Sequence, residues 1–268
     1  MSGFSADWLA LREPYDRRAR NAAVLDAVAA SFKSLRQIRV VDLACGTGST
    51  LRALTARLNP QQNWTLVDND LGLLARAAAT PRAESVTVTG KPVDLAHDLE
   101  AALDGPVDLV TTSALLDLVS EPWLDRLTVE IAARRIPLYA ALSYDGRIEF
   151  TPSDPLDGKI LDGFNAHQNT DKGFGPALGP LAVTRIIARF AALGYAVTQG
   201  PSDWLAGPDD RDFQSEVMSG FAGAARAMGL PLNDTVEWLS RRRAMLAAGR
   251  SSLRVGHVDF FAAPTGTR

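Results

Sequence analysis

A chain of 268 residues with 46% hydrophobic and 22% charged side chains can bury a sizeable core; it is long for one domain but ordinary for an α/β fold with an added cap. Its net charge of −3, without a long basic run, argues against a nucleic-acid surface as the main partner. The single cysteine, Cys45, excludes an internal disulfide and a cysteine-cluster metal site, and no apolar run approaches the roughly 18 residues of a membrane-spanning helix.

The first residues carry neither a basic n-region nor an apolar h-region, so the expectation is a cytoplasmic protein. Residues 5–34 read as helix, interrupted near Pro14, with Ser5 as N-cap and Val24, Leu25, Val28 and Phe32 on an apolar face. The segment from Leu11 to Asn21 is polar. Arg12, Tyr15 and Arg20 stand out there, since an arginine fork suits a carboxylate, but Arg17 and Arg18 stay open and a solvated, salt-bridged face explains the same residues.

Residues 39–54 organise the rest of the chain. Val40 and Val41 read as a buried strand and Asp42 to Gly48 as a tight turn; Ser49 opens a helix with Leu51, Leu54 and Leu58 at helical spacing. Strand, glycine loop and helix begin a doubly wound sheet that binds a nucleotide-like ligand at its strand ends. Gly46 and Gly48 can take positive φ and let the backbone approach that ligand, and Cys45 reads as a small, inert thiol. A second strand, Trp64 to Asp68, ends in an acid 20 residues after Gly48, which places a carboxylate beside the ribose of a bound nucleoside.

Asp70 caps a helix over 70–80, residues 85–89 give a third strand, and Asp98 begins a helix over 98–103. Strand four, 106–112, runs into Ser113 to Val119, where Asp117 is either an acceptor contact or the partner of an arginine. Next come a helix over 121–134 and strand five, 137–143. Tyr144 and Asp145 then open a loop to residue 179. Tyr144 reads as a pocket residue or a rim aromatic, His167 as a general base or a turn cap, and Lys172 as a surface lysine or an anchor for an acidic substrate.

A helix over 180–193 ends at Gly194, and strand six is 195–199. Helices over 209–228 and 232–248 precede a last strand, 253–261. This helical pair leaves from the carboxyl face of the sheet, as a lid or a homodimer surface, with Met218, Phe221, Met228 and Trp238 as its packing face. His257 alternates with apolar neighbours and reads as structural; Pro264 to Arg268 read as a frayed tail.

The turn at 42–48 resembles motif I of the class I S-adenosylmethionine-dependent methyltransferases, Asp-x-Gly-x-Gly-x-Gly, with Ala44 in place of the first glycine and Gly46 and Gly48 matching. The dinucleotide fingerprint fits less well, because Leu51 falls where it needs Gly or Ala. The resemblance implies an α/β fold: a seven-stranded doubly wound, Rossmann-like sheet with an N-terminal helix and a helical insertion between the last two strands. It implies one domain, with a cap helix at 1–34, a core at 35–205 and 250–264, and a lid at 206–249.

It further implies S-adenosylmethionine at Ala44, Cys45, Gly46 and Gly48, with Asp68 on the ribose and Asn69 at the adenine edge. Asp94 and Leu95 would meet the adenine, Ser113 would come from strand four, and Tyr15 or Arg20 would reach the methionine carboxylate alongside Arg12. The Asn/Asp-Pro-Pro-Tyr/Phe tetrapeptide of enzymes that methylate DNA bases or glutamine is missing after strand four. The implied reaction is methyl transfer to an O, N or C nucleophile of a small-molecule acceptor, yielding S-adenosylhomocysteine, with His167 and Tyr144 as catalytic candidates. Two rivals stand beside it: a non-catalytic S-adenosylmethionine-binding or regulatory protein, and an NAD(P)-dependent oxidoreductase.

Overall fold

Helix caps divide the N-terminal segment. In the computed structural model, which describes residues 4–59 and 61–266, Ser5 Oγ accepts the Trp8 N–H at the start of Ala6–Ala19 (α1), and Asn21 Oδ1 accepts the Val24 N–H at the start of Ala22–Phe32 (α2). The expected interruption at Pro14 is therefore displaced: α1 carries Pro14 within its length, and the chain breaks at Arg20–Asn21, where the side-chain cap competes with the helical backbone.

The sheet is laid down by Gln37–Leu43 (β1), Ser49–Leu54 (α3), Gln61–Asp68 (β2), Leu71–Ala78 (α4) and Val86–Pro92 (β3). Leu99–Ala102 (α5), Leu109–Ser113 (β4), Glu121–Ala133 (α6) and Leu138–Thr151 (β5) continue it. β1, β4 and the first half of β5 are almost continuously buried, because helices cover both faces of a parallel sheet. After β5 come Asp157–Gln168 (α7), Ala182–Ala192 (α8), Tyr195–Pro201 (β6), Trp204–Ala206 (β7), Arg211–Ala227 (α9), Leu232–Ala247 (α10) and Ser252–Pro264 (β8).

The strand order is β3-β2-β1-β4-β5-β8-β6, parallel through β5, with β8 antiparallel to both of its neighbours. The seven expected strands take these seven positions. An eighth, β7, extends the same edge along β8, pairing Trp204 with Val255.

The stretch expected as loop from Asp145 to Gly179 is largely regular. β5 runs on to Thr151, paired with β8 as far as Thr151↔Ser252, and α7 comes after it. Its polar composition hides this, because the extension is a ribbon beyond the main sheet that alternates inward Ile148 and Phe150 with outward Arg147 and Glu149. Two apolar clusters fill the faces of the sheet. A third, holding Trp204, Phe213, Met218, Phe221, Trp238 and Val255, binds α9 and α10 onto the β5–β8–β7 ribbon.

Candidate functional site

The turn after β1 is built for close approach. Ala44, Gly46 and Gly48 all have left-handed backbone, at φ 51°, 53° and 83°. The Cys45 N–H donates to the Val67 carbonyl at 2.9 Å and the Gly48 N–H to the Cys45 carbonyl at 2.9 Å, which curls the chain into the N-terminus of α3. A Cβ on Gly48 would lie 3.3 Å from that of Ala77. Asp68, at the tip of β2, clamps the turn: Oδ2 accepts the Gly46 N–H at 2.9 Å and Oδ1 the Asp70 N–H at 3.0 Å.

Between this turn and the ends of β2, β3 and β4 lies a cavity of about 430 Å³. Ala44, Cys45, Gly46, Asp68, Asn69, Asp94, Leu95 and Ser113 all line it. Asp94 is held there by accepting the Ala96 N–H at 3.0 Å and pairing with His97, whose hydrogen bond keeps its carboxyl below the usual range. Burial, with Asp42 and Asp68 nearby, pushes the Cys45 thiol up, so it stays neutral.

The other three expected residues stand back from this cavity. Gly48 shapes the turn from behind. Tyr15 stacks on Phe213 at 3.6 Å between centroids and donates to Asp210 Oδ1 at 2.6 Å, so it anchors α1 to the start of α9. Arg20 is buried behind the wall, donating to the Tyr139 hydroxyl at 3.1 Å, Thr50 Oγ1 at 3.3 Å and Ser113 Oγ at 3.4 Å. It fixes two wall residues without reaching the cavity itself. From α1, Arg12 and Asp16 line the cavity, joined at 3.1 Å.

Asp42, beneath the turn, accepts from Thr111 Oγ1 at 2.7 Å, while its buried Oδ2 has no partner among the described residues. Burial raises its carboxyl to about 7, against the opposing effects of the Thr111 hydrogen bond and the Arg20 charge. The folded state thus holds this proton to about pH 7, while an unfolded aspartate releases it near pH 4. Unfolding releases a proton in that window, so stability falls as pH climbs through it. Asp42→Asn is expected to flatten this loss. Urea unfolding at pH 5 and 7.5 tests it: equal losses in mutant and parent would remove Asp42 as the source.

A second cavity, of about 810 Å³, opens beside the first. Arg12, Ala114, Leu118 and Lys172 line both. Ala114 and Leu142, on its floor, are held at φ 52° and 55°, so three of the four non-glycine residues with left-handed backbone line one cavity or the other. Asp259 Oδ1 stabilises the bend at Leu142 by accepting its N–H at 2.8 Å.

Both catalytic candidates line this second cavity. Tyr144 donates its hydroxyl to Asn165 Oδ1 at 2.8 Å, and burial raises its phenol, so it stays protonated. His167 lies on α7 rather than in a loop, and its Nδ1 faces Lys172 Nζ at 3.1 Å. An ammonium only donates, so Nδ1 accepts and the ring proton sits on Nε2. His167 in this state offers the cavity a donor, and burial with the Lys172 charge lowers its affinity for a second proton.

His257 also lines the cavity, although its alternating strand pattern reads as structural. β8 is buried on this face, but the ribbon it forms with β5 and β7 is the cavity wall. No local signal could have revealed that, because the wall depends on pairing with residues more than 50 positions away.

Residues 40–135, from β1 through α6, match the family described as methyltransferase domain. A cyclopropane-fatty-acyl-phospholipid synthase-like protein from Lactobacillus casei shares 16% identity at TM-score 0.52, covering 93% of this chain and 98% of that one. The YcgJ protein from Bacillus subtilis shares 14% identity at TM-score 0.50, covering 92% and 100%. Likeness at this level is one of fold. No curated protein sequence matches the chain. The matched segment supplies most of the wall of the first cavity, with Arg12 and Asp16 from α1 beside it; much of the wall of the second lies beyond it, from β5 onward.

Proposed function

We propose that the protein transfers the methyl group of S-adenosylmethionine to a small-molecule acceptor, with the donor in the first cavity and the acceptor in the second. The observation that carries this is the junction: a glycine-turn cavity of nucleoside size meets a larger, aromatic-walled cavity at Ala114 and Leu118, at the carboxyl end of β4. The residues present fit the donor. Asp68 suits the ribose hydroxyls, Asn69, Asp94 and Leu95 the adenine, and the turn leaves no Cβ at Gly46 to obstruct it. The Arg12 guanidinium, which lines this cavity, suits the carboxylate of the methionine end.

The sulfonium methyl is already activated: its carbon bonds to the acceptor as the S–C bond breaks and the electron pair stays on sulfur. What remains for the protein is alignment and exclusion of water. In this reading α9 and α10 are the lid that provides both, His167 Nε2–H orients the acceptor by donating a hydrogen bond, and Tyr144, its proton given to Asn165, walls the cavity. A second cavity open to about 810 Å³ weighs against a non-catalytic binding protein, in which that space would be filled.

Calorimetric titration with S-adenosylmethionine, S-adenosylhomocysteine and NAD tests the reading. Micromolar-range binding of the two sulfur ligands alone is expected. Binding of NAD in their place would replace methyl transfer with hydride chemistry.

A further inference from the structure

The polar groups on the wall of the second cavity are unevenly matched. Few of its donors are free. Lys172 Nζ places its three protons on His167 Nδ1, the His167 carbonyl and Thr170 Oγ1 at 3.1, 2.9 and 2.8 Å. Arg12 gives its Nε–H to Asp16 at 3.1 Å, which leaves the Arg12 Nη groups, assigned above to the methyl donor's carboxylate, and the His167 Nε2–H. Tyr144 donates to Asn165, and the Trp204 Nε1–H donates to Asp16 Oδ1 at 2.8 Å.

Its acceptors are less well met. Asp117, on the single helical turn after β4, is 6% exposed, and its Oδ1 has no hydrogen-bond partner among the described residues. His257 faces the Val255 carbonyl through Nδ1 at 3.0 Å; a carbonyl only accepts, so Nδ1 holds the proton and Nε2 presents a lone pair. Glu216, exposed on α9 where it lines the cavity, has no cation within ion-pair distance among the described residues. Around these acceptors stand the rings of Trp8, Tyr144, Phe164, Trp204 and Phe221.

Unmet buried acceptors are costly, and a ligand that donates to them removes that cost. Aromatic faces add attraction for a cation. Resting on the assignment of this cavity to the acceptor, we propose that it takes an amine with an apolar body, its nitrogen donating to Asp117 and His257. At that spot a carboxylate or phosphate would face the Asp117 carboxylate and the His257 lone pair where it needs donors. An amine gains positive charge when methylated, and Asp117 faces that charge as it forms.

The test uses n-octylamine, n-octanol and n-octanoate, titrated into the full chain with and without saturating S-adenosylhomocysteine and followed by tryptophan fluorescence. Octylamine is expected to bind at least tenfold more tightly than octanol, with octanoate weakest. Asp117→Asn should remove most of the amine advantage while leaving octanol and S-adenosylhomocysteine binding unchanged. Octanol or octanoate binding as tightly as the amine, or an amine affinity that ignores Asp117→Asn, would overturn the proposal. Failure to bind S-adenosylhomocysteine would instead overturn the methyl-transfer reading, and the titration without it keeps the two apart.

If Asp117→Asn does not fold, pH supplies the second arm on the parent protein. Burial sets the Asp117 carboxyl at about 6; the neighbouring backbone N–H groups of Asp117 and Tyr144 and the Arg12 charge oppose that rise. The Tyr144 phenol stays neutral and His257, lowered to about 4 by burial and Arg12, does too. His167, on the same wall, is held below its ordinary value by burial and the Lys172 charge, and running the profile in parallel on His167→Gln leaves Asp117 as the group facing the amine that titrates near 6. Octylamine affinity should fall as pH drops from 7 to 5, while octanol affinity stays level. A flat amine profile would overturn the assignment.

Discussion

Asp68→Ala is expected to lower affinity for S-adenosylmethionine by at least about a hundredfold, leaving no saturable heat in a calorimetric titration. Each carboxylate oxygen already accepts one backbone N–H, from Gly46 or Asp70, and an ionised carboxylate has about four acceptor positions. Two thus remain for a pair of ribose hydroxyls. Hydrogen bonds to a charged group contribute roughly 1.5–3 kcal/mol each, so losing two spans about two to four powers of ten in affinity. Alanine also releases the Gly46 N–H, and with it the shape of the turn. Asp68→Asn keeps one acceptor oxygen and should fall between the two. Unchanged affinity in the alanine variant would mean the ligand is not read at the tip of β2.

Asp68 was legible from sequence because everything that defines it is local. A strand, a glycine turn and an acid at a fixed interval lie within a few dozen residues, and the parallel register Leu43↔Val67 brings them together by topology alone. The same holds for Asn69, Asp94, Leu95 and Ser113, each at or just past the end of its own strand. Helix phase was harder. Arg12 and Asp16, four residues apart, share the face toward the cavity, whereas Tyr15 falls on the flank that meets Phe213 of α9. Which flank is which depends on where α9 docks, and that is a tertiary fact. The second cavity depends on such facts throughout. Asp117, Tyr144, His167, Trp204, Glu216 and His257 converge from five elements and one short helical turn only because β5 and β8 extend past the sheet and α9 folds back over them. Asp117 could be named from sequence, but the lack of a partner at its Oδ1 could not.

That convergence depends on Arg242, and Arg242→Ala is expected to destabilise the protein by about 3 kcal/mol or more. The side chain is fully buried on α10. Its Nη1 donates to the Pro152 carbonyl at 2.6 Å, Nη2 pairs with Asp157 at the start of α7, and the guanidinium lies 4.3 Å from the centre of the Phe150 ring. One residue therefore ties α10 to α7 and to the end of the β5 ribbon. Alanine leaves Asp157 with the Trp238 Nε1–H at 2.8 Å as its remaining side-chain donor, and opens a void against Phe150 and Trp238. Arg242→Lys tests the chemistry separately. A lysine keeps the charge but loses the planar fork that serves two acceptors and stacks on a ring, so it should recover only part of the loss. Urea unfolding measures both variants, and S-adenosylhomocysteine titration should show affinity within a fewfold of the parent, since Arg242 touches the ribbon, α7 and α10 and not the glycine turn. A stable alanine variant would show that α9 and α10 are held by the apolar contacts of Phe221, Trp238 and Val255 without this ionic pin.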